Sequence, residues 1–479
     1  MRLLRTVLRC LRAGCLGTGC LGAGCSLQAT KPPEPALPAA FDYAAPAASA
    51  DWPSQDWYRG FASRELDALM EEAARNNFDV ATARARVVQA DARARQAHAA
   101  ILPSVDGAGN ANYLAGHSVD GTAHETDWAA LLSASYEIDF WGKNRATSNE
   151  ARHLAAASRA DRDTVALTVL AGVANTYFQV LSLRERLMVA RANADGARAL
   201  MGIVDSRFKA GLSNPVEVAT QRAALATADL AIPELEQAHD EALGSLAALL
   251  GRPPEGFKVE GAPLDALKEP VVAAGLPSEL LRRRPDVFMA EANLESASAG
   301  LVAARAALYP SLTLTAAGGL QNPALNAAVI SLSGVGPTLN LGAALAQPIF
   351  DGGRLRAARA EAQGRELELT ASYRAAIVAA LVDVENSLSA IRHIEAAREF
   401  QDANVAESER AFEGAQLRYQ GGYGDFLTVL EAQKALYLVR DLHIQYRLAR
   451  LEARVSLCKA LGGGWQGPDG KEPPRTAAR

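Results

Sequence analysis

Two hydrophobic periods alternate along this chain. A helical pattern opens at Asn77-Phe78-Asp79-Val80 and closes at Ile101-Leu102-Pro103-Ser104. Beyond Pro103 the period falls to two. Val105, Ala111 and Tyr113 lie on one parity and Ser104, Asp106, Asn110 and Asn112 on the other; Trp128, Ala130, Leu132, Ala134, Tyr136 and Ile138 then alternate against Ser133, Ser135 and Glu137. A period of two over about ten residues is the signature of a strand, so a β-hairpin is expected over about 103–138. A helix of unusual length is expected next, over 143–210, then a turn and a return helix over 214–250. The same order recurs: a helical pattern from Arg284-Pro285-Asp286-Val287 to Leu308-Tyr309-Pro310-Ser311, a hairpin over about 310–348, a long helix over 353–420 and a return helix over 425–461.

The recurrence extends to the residues themselves. Asp79 to Pro103 and Asp286 to Pro310 both span 24 residues, offset by 207, and Arg207-Phe208-Lys209-Ala210-Gly211-Leu212 matches Arg418-Tyr419-Gln420-Gly421-Gly422-Tyr423 at an offset of 211. The chain reads as a tandem duplication, with a first repeat over 61–262 and a second over 263–462. Residues 25–60, rich in Pro and Ala, read as an extended tether, and 463–479, rich in Gly, Pro and charge, as a disordered tail.

The second hairpin has no charged residue from Ala306 to Phe350. Pro323, Gly334, Gly336 and Pro337 exclude a single spanning helix there, whereas tilted strands of about ten residues suit a bilayer. Tyr113, Trp128, Tyr136 and Tyr309 stand near strand ends, where interfacial aromatic girdles form. Four strands cannot span a bilayer alone, because both edges would leave backbone groups unpaired in hydrocarbon. Dimer, trimer and tetramer would close at eight, twelve and sixteen strands, and strand arithmetic does not choose among them. Each long helix lacks proline and at 1.5 Å per residue reaches roughly 100 Å, so the pair must pack side by side as coiled coils. The uncharged stretch Thr164 to Leu183 meets the length criterion for a spanning helix, but Asn175 and Gln179 interrupt it. It reads as the buried part of one long helix.

Charge and cysteine content add location. The net charge is −5, and the first 24 residues contain Arg2, Arg5, Arg9 and Arg12 with no acid, so the remainder is more acidic still and offers no footprint for nucleic acid. That basic stretch, followed by Leu, Gly and Ala, reads as an export signal over 1–24. Leu21-Gly22-Ala23-Gly24-Cys25 resembles a bacterial lipobox, which makes Cys25 the expected acylation site. Cys458 is then the one cysteine left outside the signal region, a small core hydrophobe. The seven histidines, His98, His117, His124, His153, His239, His393 and His443, show no metal-ligand spacing, and no nucleophile–base arrangement or phosphate-cradling loop stands out. His117, His124, Asp120 and Asp127 share one expected extracellular loop. No enzyme, cofactor or metal is expected.

Tyr136-Glu137-Ile138-Asp139-Phe140-Trp141-Gly142-Lys143, Leu280 through Val287, Ala307-Leu308-Tyr309-Pro310-Ser311, Gln347 through Gly353 and Arg418 through Leu430 together resemble the outer-membrane efflux proteins (TolC-like), in particular the lipoprotein branch typified by OprM and NodT. The resemblance covers about residues 30 to 462. It implies a mainly α fold with a transmembrane β portion: a homotrimer whose four strands per chain complete a twelve-strand β-barrel, above an equatorial belt and a periplasmic α-barrel of long helices. It implies a passive conduit for small molecules such as drugs, lipid-anchored in the outer membrane. The implied partners are outer-membrane lipid, a periplasmic adaptor and an inner-membrane transporter, commonly of the resistance-nodulation-division type. In such proteins the periplasmic tip narrows to rings near the start of the last helix. By position these are Leu427 and Glu431, with Arg418 and Asp425 flanking the turn and able to hold it shut. Gly211, Leu212, Gly421 and Gly422 form the tip turns, where the adaptor approaches. A type I protein-secretion channel shares this architecture and is the nearest alternative; a periplasmic coiled-coil adaptor would leave the uncharged hairpin unexplained.

Overall fold

The structure is a computed structural model that describes residues 37–43, 52–118, 121–272, 275–321 and 336–467. Cys25 and the export signal lie outside the described residues. The first repeat contains α1 (Arg64–Asn76), α2 (Phe78–Ala99), β1 (Ser104–Ser118), β2 (Gly121–Ile138), α3 (Lys143–Lys209) and α4 (Pro215–Leu249). The second contains α5 (Pro277–Arg283), α6 (Pro285–Ala306), β3 (Ser311–Gln321), β4 (Gly336–Ala346), α7 (Arg354–Gln420) and α8 (Phe426–Ala460). Both long helices have 67 residues and both return helices 35.

The chain divides into two compact units. Apart from residues outside the description, one comprises Ala94–Arg152 and Leu294–Glu368, and the other Pro33–Arg93, His153–Asn293 and Leu369–Arg479. The first unit holds the four strands, which form one antiparallel sheet in the order β1-β2-β3-β4. Directly opposed residues share a face, and the register aligns Val105 with Ala134, Gly107 with Leu132, Tyr136 with Leu314, Leu312 with Leu345 and Ala316 with Leu341. One face is therefore apolar across all four strands. The other carries Ser133, Ser135, Thr313, Thr315 and Asn340. Strand pairing in the first hairpin continues to Ser118 and resumes at Gly121, so His117 and His124 belong to strands and not to the loop expected from the sequence. Extended pairing over Asn112 to Thr126 absorbs the polar residues that resembled a loop.

The second unit holds the main core. Val169, Val173, Ala174, Tyr177, Phe178 and Leu181 of α3 pack against Leu66 and Met70 of α1, Leu246 and Leu250 at the end of α4, and Leu451, Val455 and Cys458 of α8. The uncharged stretch of α3 is thus a packing surface. Burial pushes the Cys458 thiol up to about 12, so it stays a protonated hydrophobe at neutral pH. Tyr177 is likewise pushed up to about 12 by burial; its hydroxyl sits 3.1 Å from Ser63 Oγ and donates to Glu65 at 3.1 Å.

The duplication explains how each return helix meets the short helix of its own repeat. Asn77 Nδ2 donates to the carbonyl of Leu249 (2.8 Å), and Arg284 Nη1 donates to the carbonyl of Ala460 (2.9 Å). Gly251 (φ 72°) and Gly462 (φ 88°) occupy matching places, and a Cβ on either would fall within 2.3 Å of a backbone oxygen of Asn76 or Arg283. Only glycine fits such a left-handed, close-packed turn. Burial opposes the charges of Arg284 and Asp286, but their mutual hydrogen bonds (2.6 and 2.9 Å) raise the guanidinium and hold the carboxyl below its usual range.

Two sequence expectations change at the ends of the chain. The tether does not extend loosely to residue 60: Trp57 and Phe61 lie in a short 3-10 helix, Trp57–Phe61, and are buried in the core. The described start of the tail, through residue 467, is packed as well. Gly463 and Gly464 leave no room for a Cβ against Leu167 and Ser54, and Trp465 Nε1 donates to Asp163 at 2.9 Å. Composition pointed to disorder because glycine, which usually loosens a chain, here permits close packing.

Candidate channel tip and membrane face

The tip residues belong to the second unit. α3 ends at Lys209, and Gly211 (φ 74°) turns the chain; Asn214 Oδ1 then accepts from the amides of Val216 (2.9 Å) and Glu217 (3.0 Å) at the start of α4. At the other turn Gly422 has φ 80°, and Asp425 Oδ1 accepts from the amide of Thr428 at 2.9 Å while Oδ2 accepts from the Thr428 hydroxyl at 2.7 Å. The bond from the Thr428 hydroxyl, together with the amide bond, holds the Asp425 carboxyl below its ordinary range. Pro215 fills the first position of α4, where its missing N–H costs nothing.

Leu427 and Glu431 lie one helical turn apart on α8 and both are exposed in the protomer; Glu431 accepts from Lys434 Nζ at 3.1 Å. Leu212 and Tyr423, at matching places in the two turns, are exposed too. Gly421 is close-packed against the Tyr423 ring, and a Cβ on Gly422 would meet nothing within 4 Å. Asp425, one of the two residues expected to help hold the tip, caps α8, and among the described residues the Arg418 side chain makes no hydrogen bond or ion pair.

A different arginine joins the two turns. Arg207 Nη1 donates to the carbonyl of Tyr419 at 3.1 Å, and its guanidinium lies 4.6 Å from the centre of the Tyr419 ring. The Tyr419 hydroxyl in turn donates to Glu217 Oε2 at 3.4 Å, and Ser213 Oγ donates to the same oxygen at 2.6 Å. Burial, then the Glu217 charge, raises the Tyr419 hydroxyl above its usual value. Tyr419 is packed among Leu200, Val204, Val218, Phe426, Val429 and Leu430. Arg207 matches Arg418 and Phe208 matches Tyr419 across the repeat, but the match does not show which arginine reaches across.

The sheet supplies the second candidate surface. On its apolar face Leu339, Leu341 and Leu345 are 74%, 76% and 72% exposed in the protomer. A row of leucines left bare across a sheet with two unpaired edges needs a partner medium. Among the described residues no group of three or more metal-ligating side chains is present.

Comparison with known proteins agrees with this geometry. The family model for outer membrane efflux proteins matches the chain twice, over residues 69–252 and 276–463. The chain is 43% identical over 440 residues to the pyoverdine export outer membrane protein OpmQ of Pseudomonas aeruginosa, covering 90% of this chain and 92% of that one. It is 28% identical to the cation efflux system protein CusC of Escherichia coli, covering 88% and 90%. The outer-membrane channel OprN superposes with a TM-score of 0.83 at 25% identity, over 92% of this chain and 99% of that chain. The open-state MtrE channel of Neisseria gonorrhoeae superposes at 0.78 with 27% identity, over 91% and 99%. A duplicated unit, an amphipathic sheet open at both edges and paired 67-residue helices thus have their counterpart in channels, not enzymes, and the chain belongs to the outer membrane efflux protein family.

Proposed function

We propose that three copies of this chain form the outer-membrane channel of a tripartite efflux pump, a passive conduit that a periplasmic adaptor joins to an inner-membrane transporter. The observation that carries this reading is the sheet. Its exposed leucine face suits lipid, its Ser, Thr and Asn face suits a wet lumen, and its free β1 and β4 edges call for strands from other copies. Three copies give twelve strands, within the known range for such barrels.

Several finer points belong to the same reading. Cys25 is the acylation site that anchors the chain on the periplasmic side of the outer membrane. Leu427 and Glu431 form stacked rings at the tip, a Leu constriction that excludes water and a Glu ring that attracts cations. Opening separates helices held by the Arg207–Tyr419–Glu217 clasp. Gly211, Leu212, Gly421 and Gly422 leave the turns small enough for an adaptor to approach. The cargo is a small secreted compound like pyoverdine, since identity to the pyoverdine exporters reaches 43% but is 28% for the cation, antibiotic and toluene pumps. The motor implied by the resemblance is a proton-driven transporter of the resistance-nodulation-division type. Export that survives a protonophore but stops on ATP depletion would replace it with an ATP-driven one.

Planar-bilayer conductance tests the channel and its gate together. Wild type should show a small conductance that rises sharply in Leu427→Ala/Glu431→Ala. A large conductance unchanged by mutation removes these gate residues. No conductance from either folded trimer removes the channel.

A further inference from the structure

The face of the sheet that suits a wet lumen carries charge of one sign. No Lys or Arg occurs between Ser104 and Ile138 or between Ser311 and Ala346. The described strands contain four charged residues, Asp106, Glu125, Asp127 and Glu137, and all are acids. Register assigns each of them to a face. Asp106 stands opposite Ser133, Asp127 opposite Asn112, Glu125 opposite Leu114 and Glu137 opposite Thr313. All four therefore occupy positions of the face that carries Ser133, Ser135, Thr313, Thr315 and Asn340. His117 and His124 fall at positions of the opposite face.

The acids stand at different depths along the strands. At the base Lys143 Nζ donates to Glu137 at 2.6 Å and neutralises it. Asp106, two residues inside the start of β1, belongs to the row Asp106–Ser133–Ala317–Asn340, which crosses all four strands through directly opposed residues. The adjoining row toward the base, Ser104–Ser135–Thr315–Gly342, has no charge. Asp106 is exposed, and its partners across both rows are small and neutral. Asp127 and its partner Asn112 lie six residues farther along β1, about 20 Å at the rise of a strand. Salt screens charges beyond roughly 10 Å at 0.1 M, so the levels of Asp106 and Asp127 act separately on a passing ion.

We infer that Asp106, repeated in each copy of the trimer, forms a carboxylate ring that makes the lumen of the β-barrel select cations over anions, with Asp127 as a second ring. The inference rests on the sheet being the wall of the channel. It places a selectivity filter in the barrel, independent of the Glu431 ring at the tip. Rings of like charge set ion selectivity where low-dielectric walls concentrate their field, and lumen-facing residues tune it. A wall without Lys or Arg gives a permeating anion no compensating attraction.

Reversal potentials of the purified trimer in a planar bilayer, under a KCl gradient, test it. The Leu427→Ala/Glu431→Ala protein is the reference, because the tip charge is gone and the barrel remains. Its permeability ratio of potassium to chloride should stay well above one. Adding Asp106→Asn and Asp127→Asn should lower that ratio at least threefold, and adding Asp106→Lys should turn the preference toward chloride. An unselective reference, or a ratio that the Asn variants leave unchanged, overturns the inference. Salt provides a second readout that needs no barrel variant: selectivity of the reference should fall between 0.1 M and 1 M KCl, as the screening length shrinks to about 3 Å. Selectivity that ignores salt counts against a charged ring. The same recordings separate the two failures. A trimer that conducts without the expected selectivity ends this inference alone, and a folded trimer that does not conduct ends the channel reading.

Discussion

At the first tip turn Gly211 takes φ 74° and a neutral Asn214 caps α4; at the second Gly422 takes φ 80° and an ionised Asp425 caps α8. The backbones repeat, but the side chains around them do not. Phe208 is 41% exposed, whereas its counterpart Tyr419 is 2% exposed and central to a cluster of seven buried residues. Arg207 holds the opposite turn, whereas among the described residues its counterpart Arg418 makes no side-chain hydrogen bond or ion pair. Duplication preserved the turn geometry, which depends on a few glycines and caps. Divergence of single side chains then gave the two matching arginines different tasks.

Three pairs of substitutions test that division, and the largest effect is expected at the aromatic pair. Tyr419→Ala should destabilise the folded protein by about 3–5 kcal/mol, the usual cost of emptying a buried aromatic site, whereas Phe208→Ala should cost under about 1 kcal/mol. Thermal unfolding of the two variants checks this, and equal losses would mean that the repeats are not divided as described. Next comes the clasp. Arg207→Ala should raise bilayer conductance several-fold, while Arg418→Ala leaves it near wild type; the reverse order would restore Arg418 as the residue holding the tip. The smallest effect concerns the caps. Asn214→Ala should cost about 1 kcal/mol. The Asp425 carboxyl is held below its ordinary range, so its capping contribution is complete above the unfolded value of about 3.9 and is lost as pH falls through the lowered folded value. The protection factor of the Thr428 amide, measured against the intrinsic exchange rate at each pH, should therefore fall on acidification, while the Val216 and Glu217 amides keep theirs. Asp425→Asn should abolish the difference.

Much of this architecture was readable before any coordinates. Period-two alternation located β1 to β4, the lack of proline marked α3 and α7, and the 207- and 211-residue offsets paired the repeats. The caps Asn214 and Asp425 were legible because a short polar side chain before a helix has a local task. The clasp was not, since Arg207 and Tyr419 are 212 positions apart and nothing local distinguishes Arg207 from Arg418. The packed Gly463-Gly464-Trp465 segment was misread for a related reason: composition records how freely glycine can move, not which neighbour occupies the space its missing Cβ leaves. Likewise Trp57 looked like part of a tether, although α3 and α1 enclose it.

Sequence alone therefore determined the elements, their order, their duplication and the family. Those follow from periodicity, proline, glycine and local hydrogen bonding, which act within a few residues. Tertiary structure decided which of two equivalent arginines reaches across and which of two equivalent aromatics is buried. Those outcomes depend on packing between segments roughly 200 residues apart, where distances of a few ångströms set both burial and charge pairing.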